Sequence, residues 1–214
     1  MSFDPPSSAG GTKPPAVNLP PLTLALLLLM LAVYLGLLLA SPRLERLVFV
    51  HFGFIPAAYL AHDWPIWSLI VAPFSYVLLH GGVGHLALNG VMLAVMGQVL
   101  ERRCGRPWFL LLFAAGAVGG ALAHILTDAA SRIPLIGASA SVGALYGAGL
   151  MLHRRGVSLG PNARVLVALA GLFVIMSLLG LMLPIVSNIA FAAHLGGFVA
   201  GALLATRLDL RRRS

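Results

Sequence analysis

The stretch Ile133–Leu152, IPLIGASASVGALYGAGLML, carries no charge, is rich in small residues and holds two serines two positions apart, Ser139 and Ser141. Gly143 and Gly147 follow Ser139 at intervals of four, and side chains four apart share one face of a helix. Ser139 therefore heads a ridge of minimal bulk, the spacing of small residues that lets another helix backbone come close inside a membrane. Ser141 points roughly 200° away on the same helix and lies off that face. A serine here can also serve only as a small packing residue or a helix cap, so the ridge by itself assigns no chemistry.

The rest of the chain has the same character. Of 214 residues, 59% are hydrophobic and 9% charged, against about 25% charged in soluble domains. There are too few charges to cover a water-facing surface, so the chain is an integral membrane protein. The single cysteine, Cys104, excludes an internal disulfide framework and a cysteine-rich metal site. No metal or other cofactor is expected.

Crossing the hydrocarbon core takes about 20 apolar residues. Six spans are expected, at 22–40, 83–100, 107–127, 138–153, 163–182 and 189–206. The first is too long for a signal-peptide core of roughly 7–15 residues and is expected to be retained. The Pro-, Gly- and Ser-rich stretch before it reads as a disordered tail over residues 1–21. The membrane domain is expected over 22–206, followed by a basic tail over 207–214. Segment 41–82 is apolar but broken by Pro56, Pro65 and Pro73, and contains Trp64 and Trp67. Proline interrupts helices and tryptophan favours the membrane interface, which predicts an interfacial loop with short helices.

The net charge of +8 would suit nucleic acid in a soluble protein, but here the distribution matters more than the sum. Of the 14 basic residues, all but Arg43, Arg46 and Arg132 fall at Lys13 or after the second, fourth and sixth spans. The positive-inside rule then puts both termini in the cytoplasm, and no nucleic-acid partner is expected. The even-numbered spans all run inward, so groups near their starts share one depth toward the outer face.

Three polar constellations sit there. Ser139 is the first. His194 is the second, with Gly197 and Gly201 three and seven positions later on its face. Two glycine ridges suit each other, and packing the fourth span against the sixth would bring Ser139 to His194. An intramembrane histidine is costly and points to function, although a bond to a backbone carbonyl would also satisfy it. The third is LLHGGVGHLALNG, with His80, His85 and Asn89; His85 and Asn89 are four apart on one face. As hydrogen-bonding groups they could equally hold helices together. The six acids, Asp4, Glu45, Asp63, Glu101, Asp128 and Asp209, lie outside the expected spans or at their margins, which argues against a paired-aspartate membrane protease. The His-Glu-x-x-His pattern of zinc proteases is also missing. A hydroxyl, an imidazole and a set of amide and imidazole donors remain, and these are the parts of acyl transfer.

At these residues the chain resembles the rhomboid family of intramembrane serine proteases, of the bacterial six-span type. Gly137-Ala138-Ser139-Ala140 is similar to the family's Gly-x-Ser-Gly, AHLGGFVAG to its histidine span, and HGGVGHLALN to its second-span motif. GQVLERRCG, Gly97 to Gly105, is similar to the pattern that closes that span. The resemblance runs from about residue 45 to 206. It implies an all-α membrane fold, a compact bundle of six helices with the fourth span short and its start sunk below the surface. It implies a Ser139–His194 dyad, with His85, Asn89 and the Ser139 backbone N–H holding the oxyanion. It also implies an outward-opening, water-accessible cavity, a mobile cap near Met182–Asn188, and single-span membrane proteins as substrates in the lipid of the cell membrane. Two departures carry expectations of their own: Ala140, in place of glycine, adds bulk beside the nucleophile, and Gly143 leaves His194 without the aromatic neighbour some members place there. Two other readings stand beside this one, a catalytically inactive rhomboid-like protein that binds membrane helices, and a small transporter. Transporters often show repeated halves, and no such repeat is visible here.

Overall fold

In the computed structural model, which describes residues 18–61, 64–182 and 191–208, each of the six expected apolar segments is helical. The chain order is α1 (Pro21–Leu38), α2 (Pro42–Phe52), α3 (Ile66–Ser75), α4 (Val83–Cys104), α5 (Arg106–Thr127), α6 (Ser139–Arg154), α7 (Ala163–Met182) and α8 (Phe191–Ala205). Two 3-10 turns, Pro56–Tyr59 and Tyr76–Leu78, flank α3. The fold is an all-α membrane bundle; among the described residues the only extended pairing is an isolated antiparallel bridge between Phe54 and Leu135. The tail expected over 1–21, the cap near Met182–Asn188 and the basic tail lie wholly or mostly outside the described residues.

Helices α1, α4, α5 and α7 are long and apolar enough to cross a membrane. Helices α6 and α8, at 16 and 15 residues, are about 24 and 22 Å long, short of the roughly 30 Å hydrocarbon core. For α6 the reason lies in its surroundings. Eleven of its 16 residues are buried, so protein rather than lipid covers it and its length need not match the bilayer.

Glycine permits this central placement. A Cβ on Gly197 would lie 2.0 Å from the Ala140 carbonyl oxygen, and one on Gly201 at the same distance from that of Ala144. From the other side, a Cβ on Gly147 would meet the Phe198 carbonyl at 2.0 Å. The two ridges interlock as their spacing predicts, and the register (140 with 197, 144 with 201) makes α6 and α8 parallel. Helix α5 packs closely on both: a Cβ on Gly116 would be 2.7 Å from the Cα of Ser141 on α6, and one on Gly119 2.8 Å from the Gly196 carbonyl oxygen on α8.

Segment 41–82 is built from α2, α3 and the two turns. It begins with a capped helix, in which Ser41 Oγ accepts from Leu44 N–H at 3.3 Å and Pro42 fills the first turn. It is then tied down through its side chains. Ser68 Oγ donates to the His51 carbonyl at 2.8 Å, Ser75 Oγ to Phe52 O at 2.7 Å, and Tyr59 to Leu69 O at 2.7 Å. The segment also holds the strand-like lead-in to α6. Phe54 and Leu135 exchange both backbone bonds, at 3.1 and 2.8 Å, and Ala57 N–H donates to Ser131 O at 3.0 Å. Fully buried Tyr76 accepts from Gly137 N–H at 3.0 Å and donates its own hydroxyl proton to Ala117 O at 2.9 Å.

Two charged side chains close helix ends from a distance. Helix α1 starts after Pro20, which has no capping side chain. Its free N–H groups are met by the buried carboxylate of Glu101 near the end of α4, which accepts from Leu22 N–H (3.0 Å), Thr23 N–H (2.7 Å) and Thr23 Oγ1 (2.8 Å). A carboxylate at a helix N-terminus satisfies orphan donors and complements the dipole. At the other helix end, Arg155 donates to the last carbonyl of α8, Ala205 O at 2.8 Å, and to Leu208 O just beyond it at 3.0 Å. Helix α4 runs four residues past its expected end because Glu101 turns inward instead of breaking the apolar pattern.

Candidate active site

The starts of α6 and α8, the start of α4 and the middle of α7 surround a cavity of about 1020 Å³. Ser139, His194, His85 and Asn89 all line it, together with Phe173, Ser177, His124 of α5 and Asp128 just past the end of that helix. The four residues singled out by the sequence thus face one space, and His80 is not among its lining groups.

Ser139 is the first residue of α6. It is half-buried, and its N–H belongs to the first turn, where amides have no partner within the helix and the dipole is positive. An oxygen developing negative charge next to Ser139 would meet those amides. Ser141 is fully buried, and its hydroxyl has no hydrogen-bond partner among the described residues. It does sit in a close contact, against α5 at Gly116, so both serines belong to packed faces and only Ser139 reaches the cavity.

The lead-in to Ser139 depends on Gly137. Its φ of +102° is a left-handed conformation that side chains rarely adopt, and a Cβ there would lie 2.5 Å from His85 Nε2. The imidazole of His85 rests directly on the Gly137 backbone, with Asn89 Nδ2 close by at 3.7 Å from the same point. Asn89 donates one amide hydrogen to the His85 carbonyl, a turn earlier, at 2.9 Å. Its second amide hydrogen meets no acceptor among the described residues and is the donor it can offer to the cavity. His80 lies in the loop ahead of α4, buried, with its ring edge-on to that of His85 at 5.1 Å. Burial, and secondarily the nearby His85, pushes its pKa down to about 4. His80 is therefore neutral, and its Nδ1–H donates to Leu78 O at 3.3 Å.

Both departures noted in the sequence resolve differently from expectation. The Ala140 methyl does not crowd the Ser139 side of the cavity. It is buried outside the cavity lining and occupies the space that a Cβ on Gly120 of α5 would need, 2.5 Å away. Nor does His194 lack aromatic neighbours. The ring of Phe173, on α7, lies 5.3 Å from the imidazole at 35°, and Phe191 meets it edge-on at 5.7 Å. A Cβ on Gly143 would come within 3.0 Å of the Phe173 ring, so the missing side chain on α6 is the room that α7 fills. Ser177 also approaches His194, with Oγ 3.4 Å from Nδ1. Spacing arguments overlooked Phe173 and Ser177. The available signal was that Ser177 is the one polar side chain between Val165 and Met182.

Comparison with known proteins gives this arrangement a context. A family model described as Rhomboid domain matches residues 64–210. RHOMBOID-like protein 5 of Arabidopsis thaliana is 33% identical over 152 residues, 71% of this chain and 47% of that protein. Rhomboid protease GluP of Bacillus subtilis is 31% identical over 146 residues, 67% of this chain and 26% of its own. Rhomboid protease GlpG of Yersinia pestis is 29% identical over 189 residues, 86% of this chain and 62% of its own. The chain thus spans between about a quarter and two thirds of the length of these relatives.

Proposed function

From the chain's membership of the rhomboid family, we propose that it is an intramembrane serine endopeptidase that cleaves single-span membrane proteins near the outer face of the cell membrane. The observation that carries this reading is the convergence of Ser139 and His194, from two interlocked parallel helices, on one cavity whose other wall bears His85 and Asn89. In the proposed reaction His194 takes the hydroxyl proton as Ser139 Oγ attacks the scissile carbonyl. The oxyanion is held by the Ser139 amide, His85 and Asn89. Collapse of the tetrahedral intermediate breaks the C–N bond, and the imidazolium gives its proton to the leaving amine. Water entering the cavity then repeats the sequence on the acyl-enzyme and frees the carboxylate. No cofactor takes part.

The orientation follows the basic residues, with both termini cytoplasmic and all six apolar helices crossing the membrane. The site then lies toward the outer side, where a substrate helix must unwind before its peptide bond can be attacked. Substrates with Gly or Pro near that face, and a small residue before the cut, are the class that fits.

The test is labelling and cleavage in one preparation. In liposomes the protein should react with a fluorophosphonate at Ser139 and cut single-span substrates containing helix-breaking residues. Both reactions should vanish in Ser139→Ala and in His194→Ala, with the proteins still folded. Helix binding with neither labelling nor cleavage would instead support the inactive, helix-binding reading.

A further inference from the structure

The second nitrogen of His194 poses a question that the dyad alone leaves open. A general base needs its lone pair on the nitrogen nearer the nucleophile, and that tautomer is set by what the other nitrogen donates to. Among the described residues no carboxylate bonds to His194; its Nδ1 faces Ser177 Oγ, at 3.4 Å. A hydroxyl can donate or accept, so its single proton must be located. Ser177 Oγ also lies 2.7 Å from the carbonyl oxygen of Phe173, one turn earlier on α7. The shorter contact to an acceptor that can only accept claims the proton. Ser177 Oγ is then left with lone pairs for His194, and Nδ1 must be the protonated nitrogen. Ser177 is itself 1% exposed, so water does not compete for that role.

Phe173 completes the arrangement. Its ring lies against the imidazole, is stacked in turn on Tyr146 of α6 at 5.6 Å and 22°, and fills the space left by Gly143. Phe173 and Ser177 are four residues apart and so share one face of α7. We propose that Ser177 and Phe173 are positioning residues for His194: Ser177 accepts the Nδ1 proton and keeps Nε2 basic, while Phe173 braces the ring. The orientation of the base is thereby supplied by α7, a helix that carries none of the four cavity residues found from the sequence. The contact at 3.4 Å is long, as catalytic hydrogen bonds often are before substrate is bound.

This proposal rests on the protease reading, and the experiment separates the two. Nitrogen-15 NMR of the imidazoles in detergent, with His194 assigned by difference from His194→Ala, reports the tautomer with no need for activity. At pH 8 the parent protein should show His194 in the Nδ1–H form, Ser177→Ala should show exchange-averaged tautomers, and Ser177→Thr should restore the parent pattern. In turnover, Ser177→Ala should lower kcat by between about threefold and tenfold, the worth of one neutral hydrogen bond, with KM unchanged. Ser177→Thr should recover most of that loss, and Phe173→Leu should lower kcat where Phe173→Tyr does not. A Nδ1–H tautomer that persists in Ser177→Ala would overturn the proposal. So would equal losses in Ser177→Ala and Ser177→Thr that follow a fall in melting temperature, since those would mark a packing role. A parent protein that neither labels nor cleaves would sink the protease reading while leaving the tautomer measurement to decide on Ser177.

Discussion

Ser141 offers the sharpest contrast with Ser139, because the two differ in surroundings and not in chemistry. Its buried hydroxyl has no partner among the described residues, and a buried unpaired polar group costs stability. Ser141→Ala should therefore retain the proposed cleavage and melt at the same temperature or higher; loss of activity in this variant would reverse the proposed assignment of Ser139 as nucleophile. Gly137 is the opposite case. Gly137→Ala forces a side chain into a left-handed backbone and against His85 Nε2. Strain of this kind costs on the order of 1–3 kcal/mol. Turnover should fall more than melting temperature does, because the displaced group is the proposed donor at the oxyanion. For the two proposed donors themselves, His85→Ala and Asn89→Ala should each reduce turnover by about 10²–10³-fold, the usual cost of one oxyanion donor, with little change in substrate binding. Near-normal turnover together with a large drop in melting temperature would make this pair a structural link between α4 and the lead-in to α6.

At the scale of elements, helix contact depends on where glycine is required and where it is not. Gly201→Ala puts a methyl 2.0 Å from the Ala144 carbonyl, so α8 must shift away from α6, and both stability and cleavage should fall. Gly171→Ala, on α7 with nothing within 4 Å, should leave cleavage unchanged and stabilise the helix slightly, by up to about 1 kcal/mol. Equal behaviour of the two variants in a thermal melt would contradict the interlocked packing. Glu101→Ala removes the acceptor for three donors at the start of α1. It should destabilise the protein by roughly 2–4 kcal/mol, more than the usual capping loss of about 1 kcal/mol, and an unchanged melt would contradict that role. The pairing of α6 with α8 was legible in the sequence because a four-residue spacing of glycines is a local pattern with one geometric meaning. The Glu101 and Arg155 caps were not legible. Each joins an ordinary charged residue to backbone groups far away in the chain, and backbone groups leave no mark on residue identity. The same holds for Phe173 and Ser177, whose partner lies on another helix.

For the whole molecule, the asymmetry of basic residues predicts which way the bundle faces. Single cysteines placed at Ser2 and near Asp63 should be labelled by a membrane-impermeant reagent from opposite sides; labelling from one side would undo the proposed topology and the common depth of the polar groups. The interlock of α6 and α8 bears on how this bundle should fail. Carbonyls of one helix sit in the gaps of the other at four-residue intervals, so the pair is indexed like a toothed rack, with a pitch of about 6 Å. Small slips are blocked, and the next permitted register lies a full tooth away, too far for a proton to pass from Ser139 to His194. Alignment of Ser139 with His194 is in this sense digital. Mild heating or a harsh detergent should reduce the number of working molecules while each survivor keeps its full rate. Titrating active sites with a fluorophosphonate during such a treatment should show turnover per labelled site holding constant as the labelled fraction declines.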